Sequence, residues 1–239
     1  MSQFTFSPPP QASVAVAGED ARFPVRRIFC VGRNYAAHAR EMGKDPDREP
    51  PFFFTKPADA VVDDGAAIPY PPETGNFHYE IELIVAIGKE GADVPVAEAN
   101  GLIWGYGVGI DLTRRDLQLE ARDKGRPWDW GKAFDRSAPI APLHRASTVG
   151  HPTQGRIWLA VNGAVKQDAD IADLIWDVPE TIAILSRSMT LKPGDLIMTG
   201  TPAGVGAIIP GDLVTGGIEG LGEIAITIVD GAAAAPQAR

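Results

Sequence analysis

Three acidic side chains carry the clearest chemical signal in this 239-residue sequence. Glu80 and Glu82 stand in His78-Tyr79-Glu80-Ile81-Glu82. Residues i and i+2 of a strand share a face, so His78, Glu80 and Glu82 point one way. The continuation Leu83-Ile84-Val85-Ala86-Ile87 is unbroken apolar sequence and implies burial on both faces. Two glutamates on one side of a buried strand repel each other unless a cation or a proton resolves them. A further acid, Asp111, closes the apolar run Ile103 to Ile110. Three carboxylates without a thiolate form a hard, oxygen-rich set suited to Mg²⁺ or Mn²⁺. Zinc suits it less, because only His78 adds a nitrogen. The plain alternative is a half-exposed strand with a solvated acidic face, and Glu-x-Glu by itself does not separate the two.

Other groups add to this set. In Asn34-Tyr35-Ala36-Ala37-His38-Ala39-Arg40-Glu41, His38 and Glu41 are neighbours if the segment is helical. A carboxylate beside an imidazole fixes its tautomer and raises its basicity, which suits water activation; an exposed surface pair is the alternative. Arg115 and Gln118 share a face of a helix that starts after Thr113, close to Asp111, although surface exposure is the default for both types. Lys132 lies between Gly131 and Ala133, where a lysine can be partly desolvated. The loop Thr199-Gly200-Thr201-Pro202-Ala203-Gly204-Val205-Gly206 has no phosphate-binding lysine and no helix-opening glycine fingerprint. It reads as a tight loop presenting Thr201 and backbone N–H groups to a small ligand. Cys30, the single cysteine, reads as a small buried apolar residue.

The elements that must hold these residues are mostly strands. Residues 1–24 are Pro- and Ala-rich and read as an extended arm, followed by one domain over 25–239. Arg27 to Gly32, Phe52 to Thr55, Phe77 to Ile87, Leu102 to Asp111 and Glu223 to Val229 read as strands, and Ile157 to Val165 as a hairpin turning at Asn162-Gly163. Asn34 to Met42 has a helical pattern that Gly43 could close, and Lys44 to Pro51 reads as a mobile charged loop. Short helices are expected over Ala97 to Asn100, over Arg114 to Asp123 with Thr113 as N-cap, and from Asp177 through Ser186. Many short strands, few short helices and 26 glycines make a β-rich α+β fold.

Composition narrows the function classes. With 22 Lys+Arg against 31 Asp+Glu the net charge is −9, which argues against generic nucleic-acid binding. One cysteine excludes an internal disulfide and a cysteine-based zinc cage within the chain. No basic leader region opens the sequence, and Leu196 to Gly211 is broken by Pro202 and Pro210, so neither export nor a membrane span is expected. The expected location is the cytoplasm.

Taken together, Gly32-Arg33-Asn34-Tyr35 with His38 and Glu41, Lys56-Pro57, His78-x-Glu80-x-Glu82, Gly109-x-Asp111 with Arg115, Asp116 and Gln118, then Lys132, Gly163 and the Thr199 to Gly206 loop resemble the fumarylacetoacetate hydrolase family. The resemblance covers Val25 to Val229 in order and spacing and is closest to the acylpyruvate and fumarylpyruvate hydrolase branch. It implies a mixed β-roll with short helices and a lid segment over Asn34 to Pro51, a homodimer, and one divalent cation, Mg²⁺ or Mn²⁺. Carried over by motif, Glu80, Glu82 and Asp111 become metal ligands and His38 with Glu41 the water-activating dyad. Lys132 becomes the group that stabilises or protonates an enolate, while Arg33, Lys56, Arg115, Gln118 and Thr201 contact a small anionic 2-oxo acid. The implied reaction is hydrolytic cleavage of the C–C bond of an acylpyruvate, most simply fumarylpyruvate to fumarate and pyruvate. Other branches imply oxaloacetate decarboxylation, or isomerisation or decarboxylation of a 2-hydroxy-diene-dioate. A metal-stabilised binding protein is the non-enzymatic alternative.

Overall fold

The structure, a computed structural model, describes residues 3–37 and 49–231. It is the β-rich α+β architecture expected, with mixed sheets and short helices. The main sheet has eight strands. In spatial order they are Phe52–Lys56, Arg27–Gly32, Asp195–Met198, Ile81–Ile87, Ile103–Ile110, Ala138–Ile140 and Val61–Asp63, with His144–Arg145 pairing beside Ile103–Ile110. Asp195–Met198 is parallel to Arg27–Gly32 and antiparallel to Ile81–Ile87. A five-stranded sheet runs Ala164–Asp170, Arg156–Val161, Leu213–Ile218, Gly222–Val229 and Ala67–Pro69.

Alternation along the central strands explains why their sequences are apolar throughout. Phe29, Val31, Leu83, Val85 and Ile197 face one core, packed with Leu159, Val214 and Ile226 of the five-stranded sheet. Ile28, Cys30, Ile84, Ala86, Leu196 and Met198 face a second core on the other side. There the hairpin Ser13–Val16 with Glu19–Pro24, inside the segment read as an arm, contributes Val14, Val16 and Phe23. Burying both faces is what a continuous apolar run demands. In Ile103–Ile110, a Cβ on Gly105 would stand 2.2 Å from the carbonyl oxygen of His144. That glycine is the price of the close approach of the neighbouring backbone.

Several local expectations match. Asn162 and Gly163 both take positive φ in the hairpin between Arg156–Val161 and Ala164–Asp170, as a type I′ turn requires. Helix Val178–Ser188 opens with a reciprocal capping box between Asp177 and Glu180 and runs two residues beyond Ser186.

Two expectations are corrected. Phe77 to Ile87 is not one strand: Phe77–Tyr79 and Ile81–Ile87 are separated at Glu80. Phe77–Tyr79 leaves the main sheet for a three-stranded one with Thr113–Arg114 and Gly206–Ala207, and the Gln167 side chain accepts the Ile81 N–H at 3.0 Å. Thr113 is not an N-cap. It lies in that small sheet, the helix begins at Arg115 and ends at Asp123, and no side chain caps its start. Most of the Asn34 to Met42 helix and the Lys44 to Pro51 loop lies outside the described residues, as do His38 and Glu41.

Candidate active site

The break at Glu80 lets two adjacent strands aim acids at one point. Glu82 pairs across from Gly109, and the Asp111 N–H donates to the Glu80 carbonyl at 2.8 Å. Glu80, Glu82 and Asp111 are all buried, and one oxygen of each lies within 4.8 Å of the others. Sequence reasoning placed these three together, and they are together.

Three cations converge on them. Lys132 Nζ donates to Glu80 Oε2 at 2.8 Å, to Asp111 Oδ2 at 2.7 Å and to Thr113 Oγ1 at 2.7 Å. Arg115 pairs with Glu80 through Nη2 and donates through Nη1 to the Gln118 side-chain oxygen Oε1. Lys56 Nζ lies 2.8 Å from Asp111 Oδ1. Its hydrogen bonds are directed instead at the carbonyls of Leu112 and Lys132, at 3.1 and 2.5 Å. Asp111 Oδ1 is therefore buried without a hydrogen bond.

Local packing explains how these side chains arrive. Lys132 ends a one-turn helix, Asp129–Lys132, that packs on the Arg115–Asp123 helix. At Gly131 a Cβ would fall 2.8 Å from the Gln118 backbone nitrogen, so only glycine brings that turn close enough. The Gly200 N–H donates to Glu82 Oε2 at 2.7 Å, in a backbone turn of φ +100°. Thr201, next in the loop, is buried and accepts from Gln167 Nε2 at 2.8 Å.

Electrostatics follow from burial. The Glu82 carboxyl is pushed well above its ordinary range, first by burial and then by Asp111 and Glu80. Burial alone would lower the Lys132 ammonium, but the Asp111 and Glu80 carboxylates outweigh it and hold Lys132 above its usual value. His78, half-buried beside Arg115, is lowered to about 4 by burial and by that guanidinium, and is neutral at pH 7. Cys30 is buried and its thiol pushed well up, so it is inert packing.

The three acids fit a divalent cation. Their donors are hard oxygens, and Asp111 Oδ1, in ion-pair range of Lys56, accepts no hydrogen bond among the described residues. Burial and the neighbouring acids disfavour the charged form of Glu82, which a bound cation would favour.

A cavity of about 520 Å³ adjoins the acids, bounded by Arg33, Phe52, Phe54, Trp128 and Lys132 among others. Trp128 meets Phe52 edge-on at 5.1 Å and Phe54 at 5.7 Å, and Lys132 Nζ lies 5.1 Å over the Phe54 ring. Of the residues expected to contact ligand, Arg33, Arg115, Gln118, Thr201 and Lys132 border the space at the acids, whereas Lys56 supports Asp111 from beneath. Sequence reasoning missed Thr113, Gln167 and Trp128. Thr113 carried a signal, its place two residues from Asp111, but was assigned to helix capping; Trp128 also carried one, standing directly before the turn that holds Lys132, whereas Gln167 meets the site only through a distant chain segment.

Comparison with known proteins fits this geometry. The family model described as "Fumarylacetoacetate (FAA) hydrolase C-terminal" matches residues 27–229. A fumarylpyruvate hydrolase of Ralstonia sp is 49% identical over 192 residues, covering 78% of this chain and 98% of that protein. The crystal structure of a fumarylpyruvate hydrolase from Pseudomonas aeruginosa in complex with Mn²⁺ and pyruvate superposes with a TM-score of 0.94 at 56% identity, covering 95% of this chain and all of that one. A mitochondrial oxaloacetate tautomerase of Homo sapiens is 40% identical over 196 residues, 82% of this chain and 88% of that protein.

Proposed function

The chain belongs to the fumarylacetoacetate hydrolase family, and from that premise we propose that it hydrolyses the C–C bond of an acylpyruvate, fumarylpyruvate above all, to pyruvate and the free acid. The observation that carries the reading is the buried Glu80–Glu82–Asp111 cluster ringed by Lys132 and Arg115, in a chain 56% identical to a fumarylpyruvate hydrolase that holds Mn²⁺ and pyruvate. Glu80, Glu82 and Asp111 would hold Mg²⁺ or Mn²⁺, which when bound supplies Lewis-acid stabilisation of negative charge on the 2-oxo acid.

The chain's own residues do the rest. Arg115, Gln118 and Thr201 orient the pyruvoyl end, and Lys56 fixes Asp111. His38, backed by Glu41, takes a proton from water as its oxygen attacks the 4-carbonyl carbon. The C3–C4 bond then breaks, its electron pair passing into the pyruvate enolate. Lys132, held charged by Asp111 and Glu80, would set its positive charge beside the enolate and stabilise it until C3 takes back a proton. Residues 25–239 act as one catalytic domain, with the hairpin of the 1–24 segment packed into its second core, as a cytoplasmic homodimer; light scattering in solution checks the dimer. No helix among the described residues is long and apolar enough to cross a membrane.

A second reading has support from the oxaloacetate tautomerase relatives, because stabilising an enolate without attacking water also serves oxaloacetate. One panel separates the two: fumarylpyruvate, acetylpyruvate and oxaloacetate with wild type and His38→Ala. Hydrolysis should fall about 10²–10⁴-fold in kcat without the base, and oxaloacetate turnover should fall less. If oxaloacetate is much the best substrate by kcat/KM, the hydrolase reading is replaced by the second.

A further inference from the structure

Resting on the acylpyruvate reading above, we propose that Arg33, Phe52 and Trp128 form the acyl-end subsite and select a flat acyl chain that ends in a carboxylate. Of the two spaces bordering Lys132 among the described residues, the larger has room for a second half of substrate, and Arg33 lines both.

Arg33 differs from the other cations of the site in its partners. Lys132 is engaged by Glu80 and Asp111, and Arg115 by Glu80. Arg33 has no carboxylate partner among the described residues; its guanidinium instead lies 5.3 Å over the Phe52 ring. A guanidinium stacked on an aromatic face keeps its N–H edge free for a two-point contact with a carboxylate. Asp129, also lining this cavity, is exposed, so solvent screens its repulsion of an anion there.

The backbone is arranged to deliver this side chain. Phe52 pairs directly across from Gly32, where a Cβ would stand 2.0 Å from the ring. Glycine there lets the ring lie across the strand. Arg33 follows in the left-handed region, φ 59°, which turns the chain at the strand's end and brings the guanidinium over that ring. The rings of Phe52 and Trp128, held edge to face at 88°, leave a wall against which a planar conjugated chain lies better than a bulky one. A substrate with a methyl terminus has nothing to offer Arg33.

The test is the ratio of kcat/KM for fumarylpyruvate over acetylpyruvate in wild type, Arg33→Gln and Arg33→Lys. The ratio should drop about 10–100-fold in Arg33→Gln, the scale of one charge-assisted contact, and recover in part in Arg33→Lys. A second measurement is independent of turnover: calorimetric titration of the Mn²⁺-loaded protein with fumarate and with crotonate, which lacks the second carboxylate. Wild type should prefer fumarate and Arg33→Gln should not; Asp129→Asn should sharpen the preference. An unchanged selectivity ratio, or an unchanged fumarate-over-crotonate preference where the variant is inactive, overturns the assignment. If wild type cleaves neither acylpyruvate, the hydrolase reading fails, and the fumarate and crotonate titrations still decide the role of Arg33.

Discussion

Asp195 and the Glu80–Glu82–Asp111 cluster are both buried acids paired with cations, yet they are built to opposite ends. Asp195, fully buried, accepts from Arg26 Nη1 at 3.0 Å, from Arg27 Nη2 at 2.9 Å and from the Lys192 N–H at 2.9 Å. Two half-exposed arginines and a backbone donor saturate a single carboxylate. The cluster sets three carboxylates against Lys56, Lys132 and Arg115, leaves Asp111 Oδ1 without a hydrogen bond, and pushes the Glu82 carboxyl upward. A buried acid that serves the fold is surrounded by donors. One that serves a ligand is left short of them, so that the ligand completes the set.

Substitutions should divide along this line. The largest effect is expected from Glu82→Gln, which keeps shape and removes charge. Activity at limiting metal should fall at least ~10²-fold with weaker Mn²⁺ binding by calorimetry. Stability without metal should hold or rise, because one of three like charges is gone. A large loss of stability would break the comparison. Asp195→Ala should do the reverse, lowering unfolding free energy by about 1–3 kcal/mol in urea while Mn²⁺ affinity stays unchanged. The loss stays below that of a fully buried pair because both arginines reach solvent.

The smallest effect concerns Asp116, an acid held by donors but near the surface. Burial would raise its carboxyl, but the Thr74 hydroxyl at 2.6 Å and the N–H groups of Gly75 and Leu117 hold it below the usual range. Its folded pKa is depressed, so its contribution is complete above about pH 4 and is lost as pH falls through the lowered value. Asp116→Asn should lower Tm by about 2–4 °C at pH 7, with the gap closing toward pH 3. A gap that widens with acid would contradict the sign.

What could be read from the sequence was what strand alternation and apolar continuity encode. Glu80 and Glu82 followed from a period of two, and Asp111 from its place at the end of an apolar run. The Asn162-Gly163 turn and the Asp177 cap are local chemistry and were legible for that reason. The break at Glu80 was not, since it depends on Gln167, which reaches Ile81 from 86 residues away. Thr113 looked like a helix cap because its hydroxyl has two possible employments, and only Lys132, brought in by Gly131, decides between them. The aromatic wall at Phe52 and Trp128 likewise joins segments whose sequences do not refer to each other.

The order of strands in the main sheet bears on how the protein is made. Asp195–Met198 sits between Arg27–Gly32 and Ile81–Ile87, so the centre of the sheet is the last of the three to leave the ribosome. Until it emerges, Ile81–Ile87, apolar on both faces, has one edge unpaired and open to other nascent chains. Gly200, which anchors Glu82, emerges later still. Chains stopped before that point should therefore lack the site altogether rather than carry a weak one, and synthesis, not only equilibrium, should set the yield of active protein.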